Sequence, residues 1–338
     1  MAIEIQEKTP LAPFTTMHVG GEARFFVSVE NVDQLRESIV WAHEKKVPFF
    51  ILGGGSNTIV SDEGFPGLVI KIEIKGVYYE AKGRGVVATV GAGEIWDDFV
   101  DDAVARNLWG IENLSLIPGT VGGATVQNIG AYGAEVSEAI VSVEAFDVEK
   151  MQTRIFLQEQ CGFGYRESIF KKNKSLVVLH TTFGLVQNGQ AKINYDDVRK
   201  YFDQKKINAS KLQNIREAII SIRKEKMPGQ GVGTAGSFFK NPVVSMDMYE
   251  MLKRRYPEIK ANMQGDNAVK LSAAWLLDKV GGFRGLRQGD AGVWNMQALI
   301  LVNYGSAGAH EIILLADKMK KSIKEKTNVQ LENEVVVL

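Results

Sequence analysis

The run from Asn113 to Ala134 carries no charged residue and constrains the fold more than any other stretch. It is long enough to cross a bilayer, which takes about 20 apolar residues. It also contains Pro118, five glycines, two asparagines and a glutamine, a composition typical of loops, and a bilayer cannot satisfy irregular backbone. We therefore predict a long glycine-rich loop and no membrane span. The loop also contains large side chains that can pack, which favours a packed loop over a disordered one. These residues are Ile117, Val121, Val126, Ile129 and Tyr132.

The composition excludes several classes of partner. The 40 basic and 40 acidic residues balance, so we expect neither nucleic acid nor an acidic membrane surface as a partner. Four scattered histidines and the single cysteine, Cys161, do not predict a metal site. A lone cysteine and an N-terminus without a signal-peptide pattern predict a cytoplasmic protein. The length of 338 residues allows two or three domains.

Hydrophobic periodicity predicts a mixed α and β chain. Asn31 with Gln34 resembles a helix N-cap and capping box, and apolar residues then recur at Leu35, Ile39 and Ala42. Alternating or continuous apolar runs predict strands at 23–29, 47–52, 68–72, 86–90, 140–148, 154–157, 176–185, 298–303 and 331–338. Helical spacing predicts further helices at 96–107, 212–224, 247–256, 268–280 and 309–325.

Two glycine-rich segments in the first half of the chain suit a ligand that carries phosphates. Gly53 to Asn57 follows a predicted strand directly, and such a turn can direct backbone N–H groups at a pyrophosphate, although it could equally be a turn and nothing more. No G-x-x-x-x-G-K-[ST] sequence occurs, which excludes a P-loop. Together with the loop at 117–133, the turn predicts a large, flat, mostly apolar ligand with phosphates, and a flavin dinucleotide fits that description.

A third glycine-rich stretch, Gly229 to Pro242, reads GQGVGTAGSFFKNP. Its G-x-G-x-x-G match lacks the preceding strand and the following helix that a dinucleotide fingerprint requires. A nucleophile elbow also fails, because Phe239 stands where its last glycine should be. The stretch leaves the hydroxyl of Ser237 close in sequence to a cation, Lys240, and an amide.

Other candidate side chains each have an ordinary interpretation as well as a functional one. Arg166 lies in a polar turn, where most arginines are merely solvated, but an arginine can hold a carboxylate through two hydrogen bonds. Glu332 and Glu334 share one face of the predicted C-terminal strand, where surface carboxylates would be the default. Tyr195 could be an aromatic residue at a helix entry with no further role.

Seven motifs follow one another along the chain: PFTTMHVGG (13–21), GGGSN (53–57), IPGTVGGA (117–124), GYRES (164–168), KMPG (226–229), GSFFKNP (236–242) and LENEV (331–335). In this combination and order they resemble the UDP-N-acetylenolpyruvoylglucosamine reductase family of bacterial cell-wall synthesis. The resemblance covers nearly the whole chain, and GSFFKNP, GYRES and IPGTVGGA are specific to it, whereas GGGSN is not. The length and the segment that carries Tyr195 resemble the longer of the family's two types, which keeps a loop over the substrate.

The resemblance implies an α+β, three-part flavoprotein with a vanillyl-alcohol-oxidase-type (PCMH-type) FAD-binding fold and a separate α+β substrate domain. The expected parts are FAD-binding subdomain 1 at 1–75, subdomain 2 at 76–222 and the substrate domain at 223–327. The C-terminal strand at 328–338 is expected to return to the first part or to the site. The implied FAD-binding residues are Gly53, Gly54, Gly55, Ser56, Asn57, Pro118, Gly119, Gly122, Gly123, Ala124, Gly130 and Gly133.

The resemblance also implies an NADPH-dependent reduction of UDP-N-acetylglucosamine enolpyruvate to UDP-N-acetylmuramate through FAD. A hydride from the reduced flavin would reach the enolpyruvyl methylene carbon, and Ser237 would protonate the carbon that bears the carboxylate. Arg166 and Glu332 would stabilise the enolate. Because Asn333 departs from the frequent LEPEV, Glu332 is preferred to Glu334 on motif position alone. The implied substrate contacts are Tyr195, Arg223, Lys226, Asn241 and Gln297.

Two alternatives remain. A flavin oxidase of the same superfamily would act on an alcohol or amine, and many such oxidases tether the flavin through a histidine near the first glycine turn. The chain has no histidine between His43 and His180, so we predict noncovalent FAD. A non-enzymatic module that binds flavin or nucleotide sugar would have no need of a proton donor such as Ser237.

Overall fold

A computed structural model describes residues 3–83, 85–209, 211–229, 231–265 and 267–338. These residues form two compact units. The first unit comprises the described parts of Met1–Thr9, Ala23–Gly54 and Pro66–Glu225. The second comprises those of Pro10–Glu22, Gly55–Phe65 and Lys226–Leu338. Segments from the N-terminal fifth of the chain therefore belong to the same unit as its C-terminal third.

The chain is built from short strands and helices, with several runs of consecutive strands. The strands are β1 Gln6–Pro10, β2 Glu22–Val29, β3 Phe49–Leu52, β4 Thr58–Ile59, β5 Phe65–Ile72, β6 Val77–Lys82, β7 Gly85–Gly91, β8 Gly130–Ala131, β9 Ala134–Glu135, β10 Ile140–Asp147, β11 Gln152–Leu157, β12 Leu176–Val186, β13 Gly233–Ser237, β14 Val243–Ser245, β15 Ala261–Gln264, β16 Ala268–Leu271, β17 Arg287–Gln288, β18 Ala291–Val293, β19 Ile300–Asn303 and β20 Val336–Val337. The helices are α1 Val32–Glu44, α2 Trp96–Ala105, α3 Val121–Gln127, α4 Ile169–Lys172, α5 Asp196–Lys205, α6 Leu212–Lys226, α7 Met246–Arg255, α8 Ala273–Trp275 and α9 Ala309–Thr327. Within the described residues, none of the helices is both long and apolar enough to cross a membrane.

The first unit contains a four-stranded sheet in the order β1-β2-β5-β3, in which β3 and β5 run parallel. Helix α1 begins where its cap predicts, since Asn31 Oδ1 accepts a hydrogen bond from Gln34 N at 3.0 Å. The predicted capping box does not form, since it would need the side chain of Gln34 to accept from Asn31 N. Gln34 Oε1 instead accepts from Glu30 N, one residue before the cap, at 2.7 Å. The helical spacing is confirmed, since Leu35 and Ile39 are fully buried.

A second sheet in the first unit is antiparallel, with the order β11-β10-β12-β7-β6. It confirms the strands predicted near 86–90, 140–148, 154–157 and 176–185, whereas β6 was not predicted. Helix α2 packs on this sheet through Trp96 and Phe99, whose rings lie 6.0 Å and 5.0 Å from that of Phe183. This packing fixes the first turn of α2, which is important for the site described below.

The charge-free run is not the long irregular loop that its composition predicted, because part of it forms α3. Thr120 begins the helix by accepting from Gly123 N at 3.4 Å. Gly122 permits close packing, since a Cβ there would lie 2.8 Å from the Cβ of Ala92. Asn128 ends the helix in the left-handed conformation, with φ of 43°. The glycine content therefore reflects tight helix packing as well as turns.

The second unit contains an antiparallel sheet in the order β13-β19-β18-β17, a three-stranded sheet β14-β16-β15 and the parallel pair β20-β4. Two predictions are corrected here. The predicted helix at 268–280 begins instead as strand β16, which pairs with strands on both sides. Ser272 then starts α8 by accepting from Trp275 N at 3.2 Å, and a π-helical turn over Leu276–Val280 continues it, so the prediction is confirmed from Ala273 onward. The predicted strand at 331–338 is a regular strand only at β20.

Candidate functional site

The two glycine segments predicted to bind a flavin meet in the first unit. A Cβ on Gly54 would lie 2.7 Å from the Cα of Gly119, and one on Gly53 would lie 2.9 Å from Thr120 Oγ1. Real Cβ contacts are essentially never this short, so both positions need glycine. The turn after β3 and the turn before α3 therefore pack backbone against backbone.

The turn before α3 is held by the segment that follows β7. Trp96 N donates to Gly119 O at 3.0 Å, Val121 N to Glu94 O at 2.9 Å and Gly122 N to Ala92 O at 2.9 Å. Gly119 adopts a φ of 113°, which a side chain would disfavour. Gly53, Gly54, Gly119 and Gly123 remain partly accessible. A charge-free, partly accessible glycine backbone of this kind fits a phosphate-bearing flavin.

The remainder of the first glycine turn belongs to the second unit. Gly55 adopts a φ of 61°, and a Cβ there would overlap Phe14 O. Gly55 O accepts from Thr16 N at 3.2 Å. Asn57 Nδ2 donates to Glu334 O at 3.1 Å, and Val336 N donates to Asn57 O at 2.9 Å. The PFTTMH segment and the C-terminal tail thus fix this turn from two sides.

Arg166 lies in the first unit, in a turn that is closed by two backbone hydrogen bonds of 3.0 Å. Gly164 N donates to Glu167 O, and Glu167 N donates to Gly164 O. Arg166 itself has a φ of 54°, in the left-handed region. The guanidinium donates through Nη2 to Gly130 O at 2.5 Å and through Nη1 to Asn128 O at 3.3 Å. Asn128 Nδ2 returns a bond to Gly164 O at 2.8 Å. The GYRES turn and the segment after α3 therefore hold the guanidinium between them.

Tyr195 and Arg223, both predicted from the family motifs, meet around Tyr132 in the first unit. The rings of Tyr132 and Tyr195 lie edge to face at 5.4 Å. Burial raises the pKa of both phenols, so both remain protonated donors at neutral pH. Burial lowers the pKa of Arg223, although the interaction with Tyr132 opposes that shift. Arg223 Nε is buried without a hydrogen-bond partner in the part of the chain that the structure describes.

Asn113 ties this tyrosine cluster together and was not predicted. Its side chain is buried, and Nδ2 donates to Tyr132 O at 3.0 Å and to Lys192 O at 2.8 Å. Tyr195 directly precedes α5, so it does stand at a helix entry, as the ordinary interpretation held. From the sequence, Tyr132 was predicted only as one of the residues that pack the charge-free loop, and not as part of a site.

Ser237 and Glu332 are brought onto neighbouring segments in the second unit. Ser237 ends β13, is exposed and pairs with Ile300. Just beyond it, Phe239 bridges to Asn333, with Lys240 N donating to Glu332 O at 2.9 Å and Glu334 N donating to Phe238 O at 2.9 Å.

The carboxylate of Glu332 is mostly exposed and lies 3.8 Å from Lys240 Nζ. Glu334 is only partly exposed. These contacts do not decide between the two carboxylates.

The remaining predicted substrate contacts also lie in the second unit. Lys226 O accepts a hydrogen bond from Trp294 Nε1 at 3.0 Å. Gln297 lies in the turn between Trp294 and Ile300, which is closed by a hydrogen bond from Trp294 N to Ile300 O at 2.8 Å. Asn241 Oδ1 accepts from Ala273 N at 2.9 Å, so this amide also holds the start of α8. Among the described residues, no group of His, Cys, Asp and Glu side chains could hold a metal ion.

The chain is similar to known proteins along its whole length. The family model described as an FAD binding domain matches residues 23–150, and that of the UDP-N-acetylenolpyruvoylglucosamine reductase C-terminal domain matches residues 228–338. The reductase of that name from Pseudomonas putida is 39% identical over 337 residues, which cover 99% of each chain. The one from Flavobacterium johnsoniae is 37% identical, over 99% of this chain and 100% of its own.

A solved structure agrees with these sequence matches. The crystal structure of UDP-N-acetylenolpyruvylglucosamine reductase from Thermus caldophilus superposes with a TM-score of 0.69 at 27% identity, covering 100% of this chain and 99% of that one. The predicted α+β fold, with a PCMH-type FAD-binding part and a separate C-terminal domain, is confirmed. The chain therefore belongs to the UDP-N-acetylenolpyruvoylglucosamine reductase family of FAD-dependent oxidoreductases.

Proposed function

We propose that the chain, with noncovalent FAD and with NADPH as the electron source, reduces UDP-N-acetylglucosamine enolpyruvate to UDP-N-acetylmuramate, a peptidoglycan precursor, in the cytoplasm. Family membership over the full length supports this reaction class. The observation that carries the proposal is the bridge between Phe239 and Asn333, because it joins the segments of Ser237 and Glu332. The three-part division at 1–75, 76–222 and 223–327 is kept as part of the proposal.

In this proposal, the two glycine turns hold the cofactor through backbone groups. The contacts assigned to it are Gly53, Gly54, Gly55, Ser56, Asn57, Pro118, Gly119, Gly122, Gly123, Ala124, Gly130 and Gly133. When bound, FAD supplies the hydride that reaches the enolpyruvyl methylene carbon, with NADPH as its ultimate source. The chain's own contribution is position and electrostatics.

Arg166 is assigned to the substrate carboxylate. Addition of the hydride leaves an electron pair on the adjacent carbon, and the resulting charge spreads onto the carboxylate oxygens. A guanidinium already oriented by the carbonyls of Asn128 and Gly130 needs little reorganisation to stabilise this charge, and preorganised donors of this kind contribute about 3–4 kcal/mol.

Ser237 is assigned as the proton donor. Its Oγ–H bond breaks, the proton forms a bond to the carbon that bears the carboxylate, and the exposed alkoxide regains a proton from water. Lys240 Nζ and Glu332 Oε2 lie 3.8 Å apart on the two segments joined by the bridge between Phe239 and Asn333. Lys240 favours the alkoxide electrostatically, whereas Glu332 in its protonated form would donate a hydrogen bond to the enolate oxygens.

The UDP-sugar itself is assigned to Tyr195, Arg223, Lys226, Asn241 and Gln297. Arg223 and Lys226 supply positive charge for the diphosphate. Tyr195 supplies an aromatic face, and the amides of Asn241 and Gln297 supply hydrogen bonds.

The experiment compares two oxidants for the reduced enzyme. The holoenzyme is reduced by NADPH without oxygen and then mixed with the enolpyruvyl UDP-sugar or with dissolved oxygen, while the flavin absorbance is followed. We expect the sugar to reoxidise the enzyme far faster than oxygen does, and acid precipitation to release all of the flavin. Faster reoxidation by oxygen would identify an oxidase and overturn the proposal.

A further inference from the structure

Arg216 of α6 is buried and makes ion pairs with two carboxylates that the proposed function does not use. Only 7% of Arg216 is exposed. Nη1 and Nη2 bind Asp97 Oδ1 and Oδ2 at 2.7 Å and 3.1 Å, and Nε binds Asp101 Oδ1 at 2.8 Å. Asp97 and Asp101 stand one turn apart on α2 and therefore share a face. Burial alone would lower the pKa of Arg216, but the two carboxylates raise it overall, so the guanidinium stays charged.

The network extends to the turn before α3 through Asp97. Asp97 Oδ1 also accepts from Leu116 N at 2.5 Å. Leu116 has a φ of 60°, a left-handed conformation that persists only when its surroundings hold it. The preceding residue, Trp96, also contacts this segment. It donates through Nε1 to Leu114 O at 2.9 Å and through N to Gly119 O at 3.0 Å. The first turn of α2 therefore clamps the segment 114–119.

We propose that Arg216 is a positioning residue for the flavin, acting through Asp97 and Leu116 on the backbone of Pro118 and Gly119. This inference rests on the cofactor contact assigned to those two residues. The bidentate guanidinium fixes both carboxylate oxygens of Asp97, so one of them stays aimed at Leu116 N. Loss of the guanidinium frees the carboxylate to rotate towards solvent, and Leu116 then relaxes out of the left-handed region. The shape of the flavin turn is thus set from α6, which lies outside the stretch matched by the FAD-binding family model.

A simpler role for Arg216 would be to tie α6 to α2 for stability alone. The two roles differ in one measurable quantity. A purely structural tie lowers the melting temperature and leaves the FAD dissociation constant unchanged, whereas a positioning residue changes the dissociation constant as well. Flavin binding needs no UDP-sugar, so this test is separate from the test of the reaction.

The experiment measures FAD dissociation from purified holoenzyme by equilibrium dialysis, for Arg216→Gln, Asp97→Asn and the double variant. We expect about tenfold weaker FAD binding for Arg216→Gln, as befits the loss of a charge-assisted hydrogen bond. The double variant should be no weaker than the weaker single variant, because both residues act through one contact. The control is Arg106→Gln, which removes an exposed ion pair with Asp102 on the same helix and should stay within about twofold of the wild type.

An FAD dissociation constant within about twofold of the wild-type value in Arg216→Gln would overturn the inference. If that variant does not fold, Arg216→Lys replaces it. Lysine keeps the charge but cannot bind both carboxylate oxygens as a planar fork, so unchanged FAD binding in Arg216→Lys would overturn the inference equally. A wild-type protein that binds FAD but does not reduce the enolpyruvyl sugar would defeat the proposed function and leave this inference standing.

Discussion

Glycine serves two different physical purposes at two sets of positions in the chain. In the first unit, the crowded glycines (Gly54 and Gly122) leave no room for a Cβ, which would lie 2.7 Å from Gly119 Cα or 2.8 Å from Ala92 Cβ. In the second unit, the open glycines (Gly229, Gly231 and Gly236) have no atom of the described residues within 4 Å of such a Cβ, apart from their own chain neighbours. Two of the open glycines have a positive φ instead, 88° at Gly231 and 74° at Gly236. The crowded glycines thus serve packing, and the open glycines serve backbone conformation.

The largest effect is expected for Gly54→Ala, because the neighbour that a methyl group would meet is backbone and cannot move aside. Overpacking of this kind costs about 1–3 kcal/mol, which corresponds to roughly fivefold to 150-fold weaker FAD binding if the turn must open. FAD affinity measured by dialysis tests this expectation. Unchanged affinity would show that the two glycine turns do not form the cofactor cradle.

Gly122→Ala should destabilise the chain by a smaller amount. Alanine gains about 1 kcal/mol over glycine inside a helix, which partly offsets an overpacking cost of about 1–3 kcal/mol against Ala92. We expect a net loss of roughly 1 kcal/mol in the free energy of unfolding, measured by urea titration of the holoenzyme. A gain in stability would mean that α3 can shift away from Ala92, at the end of β7, without a cost in free energy.

Gly236→Ala tests conformation without crowding. A left-handed alanine costs about 1 kcal/mol relative to glycine, and relaxation of that strain would rotate the next residue, Ser237. We therefore expect a loss of about 1 kcal/mol in unfolding free energy, accompanied by a lower kcat with a nearly unchanged KM. Wild-type values for stability and kcat together would remove conformation as the reason for glycine at this position.

The smallest effect is expected for Gly229→Ala, the matched control for Gly236→Ala. Gly229 has open space and is not among the residues with positive φ, so the change in unfolding free energy should stay within about 0.5 kcal/mol. A loss as large as that of Gly236→Ala would erase the distinction between the two kinds of glycine.

Local patterns predicted local structure well. The cap at Asn31, the buried spacing of Leu35 and Ile39, and the long antiparallel strands followed from periodicity and capping, which act over a few residues. The glycine content of 117–133 predicted a loop, but part of this segment forms α3. Composition could not reveal the helix, because it does not show that Gly122 packs on Ala92. The helix predicted at 268–280 is helical only from Ala273 onward, since strand pairing on both sides of β16 overrides helical spacing in its first residues.

The site shows the same limit. The family motifs identified Ser237, Glu332, Tyr195 and Arg223 as candidates, but no spacing along the chain predicts that Phe239 bridges to Asn333. Likewise, Asn113 and Tyr132 became candidates only when the fold placed Asn113 against Tyr132 and Tyr132 against Tyr195. Contacts between distant residues depend on the tertiary fold, and a single sequence does not report them.

The central claim, that Ser237 is the proton donor, is tested most directly by measuring the two half-reactions of Ser237→Ala without oxygen. The control, Ser245→Ala, removes the hydroxyl that caps α7 in the same unit and should leave both half-reactions unchanged. In Ser237→Ala we expect NADPH to reduce the flavin at the wild-type rate. Reoxidation by the enolpyruvyl UDP-sugar should be slower by roughly 100-fold or more, as expected for loss of a positioned acid. Reoxidation of Ser237→Ala at the wild-type rate would contradict the account.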